Sequence, residues 1–149
     1  IMKKTTSRNG FTLIELIIVM VILGIMAAVA VPRYLDSISN AEESAEDAVI
    51  SSIRAGLKAA ANDSLYTNGR ASWPTNPFDA LAEKPAGYTT DNDLANVDGE
   101  WTFFTDGETT KISHQRADNS RHTWDYDKGT QTGDDAVVGS LGTRVQVAP

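Results

Sequence analysis

Glu15 is the residue whose chemistry is hardest to place. It carries the only charge in GFTLIELIIVMVILGIMAAVAVP, Gly10 to Pro32, and a carboxylate stranded in hydrocarbon costs several kcal/mol. A cut between Gly10 and Phe11 would create an ammonium at Phe11. If such helices pack side by side away from lipid, the Glu15 carboxylate of one chain neutralises the Phe11 amine of another, and two charges that are each costly alone become tolerable as a pair. Other candidate chemistry is thin. There are two histidines, no cysteine, and no hydrolase, kinase or nucleotide-binding motif, so no catalytic residue is expected. His114 and His122 can face each other across a hairpin, where a transition metal is conceivable, but ordinary strand-surface histidines account for them and no metal is expected.

Asp125, Asp127, Asp134 and Asp135 surround a glycine-containing loop, and Asp91, Asp93 and Asp98 form a second acidic stretch. Neither has EF-hand spacing with its closing glutamate. Turn chemistry, for which Asp is a preferred residue, explains both, so no cofactor is required; calcium is the one these acids leave open. Trp73, Trp101 and Trp124 can stack on sugars at a surface, but in so small a domain they are expected to fill the core.

The elements that position these residues follow from patterning. Phe11 to Val31, as a helix at about 1.5 Å per residue, measures roughly 30 Å, the hydrocarbon thickness of a membrane. Lys3, Lys4 and Arg8 precede it and only Arg33 directly follows, which puts the N-terminus on the cytoplasmic side. Three readings of this segment compete: a signal peptide cut after Ala28-Val29-Ala30, a plain signal anchor, and a segment cut between Gly10 and Phe11. Only the last gives Glu15 a purpose.

Beyond Pro32, Leu35, Ile38, Ala41, Ala45, Ala48, Val49, Ile53, Leu57, Ala60, Ala61 and Leu65 keep three- and four-residue spacing, which predicts one amphipathic helix to about Tyr66. Glu42, Glu43, Glu46 and Asp47 lie off that stripe and read as a solvated acidic face. TNGR, residues 67–70, ends the helix. Asn76 as N-cap, Pro77 at the first helical position and Asp79 as a capping acid predict a short helix over 77–84. GEWTFFT and ETTKISHQ flank Asp106-Gly107, a type I′ hairpin signal, and RHTWDYD follows as a third strand. The apolar face of this meander, drawn from Trp101, Phe103, Ile112, Trp124 and Tyr126, needs the helix as its cover. The Gly-rich remainder is expected to be irregular, with a last strand near Arg144 to Val147.

The run from Gly10 to Pro32 resembles the signal of type IV pilins and type II secretion pseudopilins: glycine before the cut, an aromatic first mature residue, glutamate fifth, and an apolar stretch after it. The resemblance implies a leader, residues 1–10, removed by a prepilin peptidase, N-methylation of Phe11, and assembly into a helical homo-oligomeric filament through residues 11–34. Residues 35–149 would form the globular domain. Gly24 and Pro32 mark the weakest helical stretch, since glycine and interior proline both disfavour helix. In similar proteins such a stretch loosens on assembly; close packing at Gly24 and a membrane exit at Pro32 explain the two residues equally well.

The expected fold is α+β and pilin-like: a long N-terminal helix, hydrophobic half protruding and amphipathic half packed on a small antiparallel sheet of three to four strands. The expected function is that of a structural subunit, with the precursor in the inner membrane and the product a cell-surface filament. Alternatives are a pseudopilin of a type II secretion system, with a periplasmic filament, and a secreted or anchored glycan- or calcium-binding module with an ordinary signal sequence. The formal net charge of −7 disfavours general nucleic-acid binding, because such a surface repels phosphates and gains nothing from counterion release. Residues 1–10 carry three of the cations, so the remainder is more acidic still.

Overall fold

The computed structural model describes residues 10–130 and 139–147, and the chain divides into two compact units, Ile1–Glu43 and Ser44–Pro149. A single helix, α1, runs through Leu13–Asn68 with Pro32 inside it. It ends two residues later than the spacing predicts. Gly69 adopts a left-handed φ of 71° and donates its N–H to the Leu65 carbonyl at 3.0 Å, which closes the last turn.

In the first unit the helix is bare: Leu13, Ile14, Leu16, Ile17, Met20 and Leu23 are all more than 45 % exposed. It is long and apolar enough to cross a membrane.

In the second unit α1 buries Glu46, Ile50, Ile53, Leu57 and Ala61, one face at spacings of three and four. Ile53, Leu57 and Ala61 are on the stripe that the spacing predicts, but Ala45, Ala48 and Leu65 are exposed, whereas Glu46, expected in solvent, lies on the buried line. Alanine has too little apolar area to set a helix's orientation; Ile50, Ile53 and Leu57 set it, and Glu46 is one turn before Ile50.

Among the described residues the sheet has five strands: β1 (Trp101–Asp106), β2 (Thr109–Gln115), β3 (Arg121–Asp127), β4 (Ser140–Leu141) and β5 (Val145–Val147). The first three form the expected antiparallel meander, and β4 and β5 both pair antiparallel with β3. The β1–β2 turn is centred on Gly107 and Glu108, because Asp106 pairs with Thr109. Gly107 has φ 62° and Glu108 does not share the positive φ, so the turn has the II′ pattern with glycine first rather than the I′ pattern.

Register puts Trp101, Phe103, Ile112, His114, His122, Trp124 and Tyr126 on one face. There Ile50, Ile53 and Leu57 of α1 meet Trp101, Ile112, Trp124 and Tyr126, with Phe78 and Leu141 completing the core. The opposite face is buried too. Thr102, Phe104, Ser113 and Thr123 are buried there, and the segment around residues 92–97 holds two of them: Ala95 N–H donates to Ser113 Oγ at 3.1 Å and Thr102 Oγ1 donates to the Asp93 carbonyl at 2.7 Å.

The predicted helix over 77–84 is a single 3-10 turn, Pro77–Ala80. Asn76 caps it as expected, its Oδ1 accepting from Phe78 N–H at 3.0 Å. Leu81 is already extended at φ −92°, and Lys84 reaches back to the Phe78 carbonyl at 2.5 Å and to Asp79 at 2.8 Å. Asp79 is therefore the partner of Lys84. Burial of Phe78 against the Tyr88 ring, 4.5 Å between centroids, takes the place of further helical turns.

Candidate functional site

At the start of α1, Glu15 meets Thr12. Thr12 is the last residue before α1, and its hydroxyl accepts from Glu15 N–H at 3.3 Å while Glu15 Oε2 accepts from both Thr12 N–H and Thr12 Oγ1 at 2.8 Å. This is a capping box, in which a hydroxyl and a glutamate three residues on satisfy each other's backbone donors. Glu15 is thus held by its own chain, a partnership the sequence reading overlooked although T-x-x-E is its signature. Phe11 and Gly10 precede the helix and are exposed; Gly24 and Pro32 lie within it, and helical geometry continues through both. Nothing lies near enough to Gly24 to meet an added Cβ. Lys3, Lys4 and Arg8 lie outside the described residues.

The second constellation was not anticipated. Glu46 has no solvent exposure, and four cationic or titratable groups converge on it. Arg116 holds it with both oxygens, Nε to Oε1 at 2.8 Å and an Nη to Oε2 at 2.6 Å. His114 Nδ1 is 2.8 Å from Oε1, Arg144 Nε is 3.0 Å from Oε2, and His122 Nδ1 is 3.7 Å from Oε1. His114 and His122 do face each other across β2 and β3, as the hairpin predicts, but what they meet is a carboxylate already claimed by two guanidiniums. Burial alone would raise the Glu46 pKa; the hydrogen bonds from Arg116 and His114, with the charges of Arg116 and His122, bring it down to about 2 instead. Burial, reinforced by Arg116 and Arg144, draws His122 below the ordinary histidine value against the pull of Glu46 and Asp118.

The acidic stretches behave differently. Between Asp91 and Asp98 the loop closes on Glu100, whose carboxylate accepts from Asn96 N–H at 2.8 Å, Val97 N–H at 3.2 Å and Thr89 Oγ1 at 2.9 Å. The Asn96 hydrogen bond leads in holding the Glu100 carboxyl below its usual range, against the opposing effect of burial. Asp125 and Asp127 line an open groove with Thr75, Glu108, Thr109 and Ser140. Asp134 and Asp135, the other half of that acidic set, lie outside the described residues. Among the described residues no three histidine or carboxylate side chains are grouped to hold a metal ion. Trp101 and Trp124 are buried and stacked, 5.7 Å between centroids, so they serve the core. Trp73 is half-buried and stacks on Tyr126 at 6.0 Å.

A capped, exposed apolar helix that continues onto a small antiparallel sheet defines a pilin-like subunit. Residues 5–31 match the family model described as the prokaryotic N-terminal methylation motif. The chain is 40 % identical over 80 residues to the type IV major pilin protein PilE1 of Neisseria gonorrhoeae, covering 54 % of this chain and 45 % of the relative. It is 42 % identical over 71 residues to a fimbrial protein of Neisseria meningitidis serogroup A, covering 48 % and 38 %. With the type IV narrow pilus major component PilA5 of Thermus thermophilus it shares 50 % over 46 residues, covering 31 % and 40 %. The matches thus span less than half the length of these curated relatives. No solved structure matches the chain. The likeness to type IV pilins thus lies in the N-terminal half of the chain.

Proposed function

We propose that this chain is a structural subunit that polymerises through its N-terminal helix into a cell-surface filament of the type IV pilus kind. In this reading the precursor sits in the inner membrane, a prepilin peptidase cuts between Gly10 and Phe11, Phe11 is N-methylated, and the assembly machinery draws the helix into the filament. The observation that carries it is the bare apolar stretch of α1 with one carboxylate, Glu15, near its start. Lipid covers such a surface before assembly and sister helices cover it afterwards, where the Phe11 ammonium of a neighbouring chain can pair with Glu15. The names of the relatives, major pilins and fimbrial proteins, favour a pilus over a secretion pseudopilus and a structural role over catalysis.

The test is mass analysis of the mature N-terminus together with negative-stain microscopy of sheared surface material. Methylated Phe11 and filaments that disappear in Glu15→Ala are expected. A mature chain beginning at Val31 would overturn the reading in favour of an ordinary secreted module; methylated Phe11 without surface filaments would move it to the periplasmic pseudopilus. No cofactor is needed for this role. The melting temperature is expected to be the same in excess chelator and in millimolar calcium, and an increase with calcium would assign the acidic loops to that ion.

A further inference from the structure

The segment 139–147 supplies β4 and β5, and two arginines tie it to α1 from opposite directions. Arg54 on the helix donates to the Gly142 carbonyl at 2.8 Å, and Arg144 on the segment reaches back to Asp47 and Glu46. His122 lies beside this second tie. Its register partner in β5 is Gln146, and its Nδ1 is buried without a hydrogen bond. The charged and titratable groups around it are Glu46 and Asp47 from α1, His114 from β2, Arg116 and Asp118 from the β2–β3 turn, and Arg144 from the segment.

Glu46 is already saturated. A proton on His122 would add a further cation to one buried carboxylate whose oxygens are already hydrogen-bonded to Arg116 and His114 and ion-paired with Arg144, whose Nε makes no hydrogen bond. Which cation yields is decided by geometry. Arg116 is bidentate and its side chain 7 % exposed, whereas Arg144 meets Glu46 through Nε, is 20 % exposed, and also pairs with Asp47 at the surface.

We propose that the Glu46 cluster is an acid-opened latch: a proton on His122 displaces Arg144 from Glu46 and frees residues 139–147 from β3 and α1. The direction follows from linkage. His122 takes up a proton less readily in the closed state than when released, so closure is complete above the ordinary histidine range and is lost as the pH falls below it.

The experiment is hydrogen exchange on the full chain in detergent micelles, read on the peptide covering 139–147 and corrected for intrinsic rates. Between about pH 7.5 and about pH 5 protection there falls at least about tenfold, while peptides from β1 and β2 keep theirs. His122→Gln keeps the segment protected at both pH values, and Arg144→Gln leaves it unprotected at both. Three results overturn the latch: wild-type protection independent of pH, the same loss in His122→Gln, or a parallel loss throughout the sheet. If His122→Gln fails to fold, as judged by circular dichroism, Arg144→Gln decides alone. Acid-sensitive protection persisting in that variant overturns the proposal, and its absence supports it.

Discussion

Two glutamates carry the chemistry of this chain, and each is held in a different way. Glu15 is satisfied locally by Thr12, while Glu46 is satisfied by side chains about 70 residues away, Arg116 among them. Removing Glu46 leaves two guanidiniums in place with no buried anion between them. Glu46→Ala is therefore expected to destabilise the globular unit by about 3–5 kcal/mol in urea unfolding, against a change within about 0.5 kcal/mol for exposed Glu83→Ala. The pH dependence has a definite sign. The Glu46 pKa is depressed from 4.5 to about 2 in the fold, so the stability it contributes is fully present above 4.5 and is lost as the pH falls towards 2. Glu46 was legible as an acid but not as a buried one, because Glu42, Glu43 and Asp47 surround it in sequence. The spacing 46, 50, 53, 57 did contain the answer: a charge on an isoleucine-leucine line must be buried with partners or snorkel out, and a short glutamate cannot snorkel far.

At the scale of elements, the long helix, the three-strand meander and the short terminal strand all follow from period and turn chemistry. What patterning did not reveal is the second cover of the sheet. Thr102 and Ser113 alternate with apolar residues as solvent-facing positions do, yet they are buried and hydrogen-bonded to the segment around Ala95. Such a cover depends on hydrogen bonds from loop backbone to side-chain hydroxyls, which leave no periodic trace. Ser113→Ala would leave the Ala95 N–H buried and unpaired, and a loss of about 1–3 kcal/mol in thermal or urea unfolding is expected. The close approach of α1 to the 3-10 turn is equally silent in sequence. A Cβ on Gly56 would come 2.4 Å from the Ala80 carbonyl oxygen, a backbone atom that cannot swing aside. Helix propensity favours Gly56→Ala by about 1 kcal/mol, but relieving the overlap costs about 1–3 kcal/mol, so the variant is expected to melt lower than wild type.

For the whole molecule, the question is why one carboxylate is kept at the start of a membrane-length helix, and the structure adds a rival to the assembly reading. As the N3 member of a capping box, Glu15 is useful to its own helix before any neighbour arrives. The two roles call for different properties. Capping needs an acceptor at position 15 and a hydroxyl at position 12, and glutamine can serve as that acceptor; neutralising a Phe11 ammonium needs the negative charge. Glu15→Gln keeps the cap and removes the charge, whereas Thr12→Val removes the hydroxyl and keeps the charge, at a cost of about 1 kcal/mol in helix stability. If charge pairing between subunits drives assembly, Glu15→Gln is expected to abolish surface filaments while Thr12→Val retains them, both scored by negative-stain microscopy with equal amounts of precursor in the membrane. Filaments from Glu15→Gln and none from Thr12→Val would mean that the carboxylate is there to start the helix, and the ammonium created by the cut at Phe11 would need another partner.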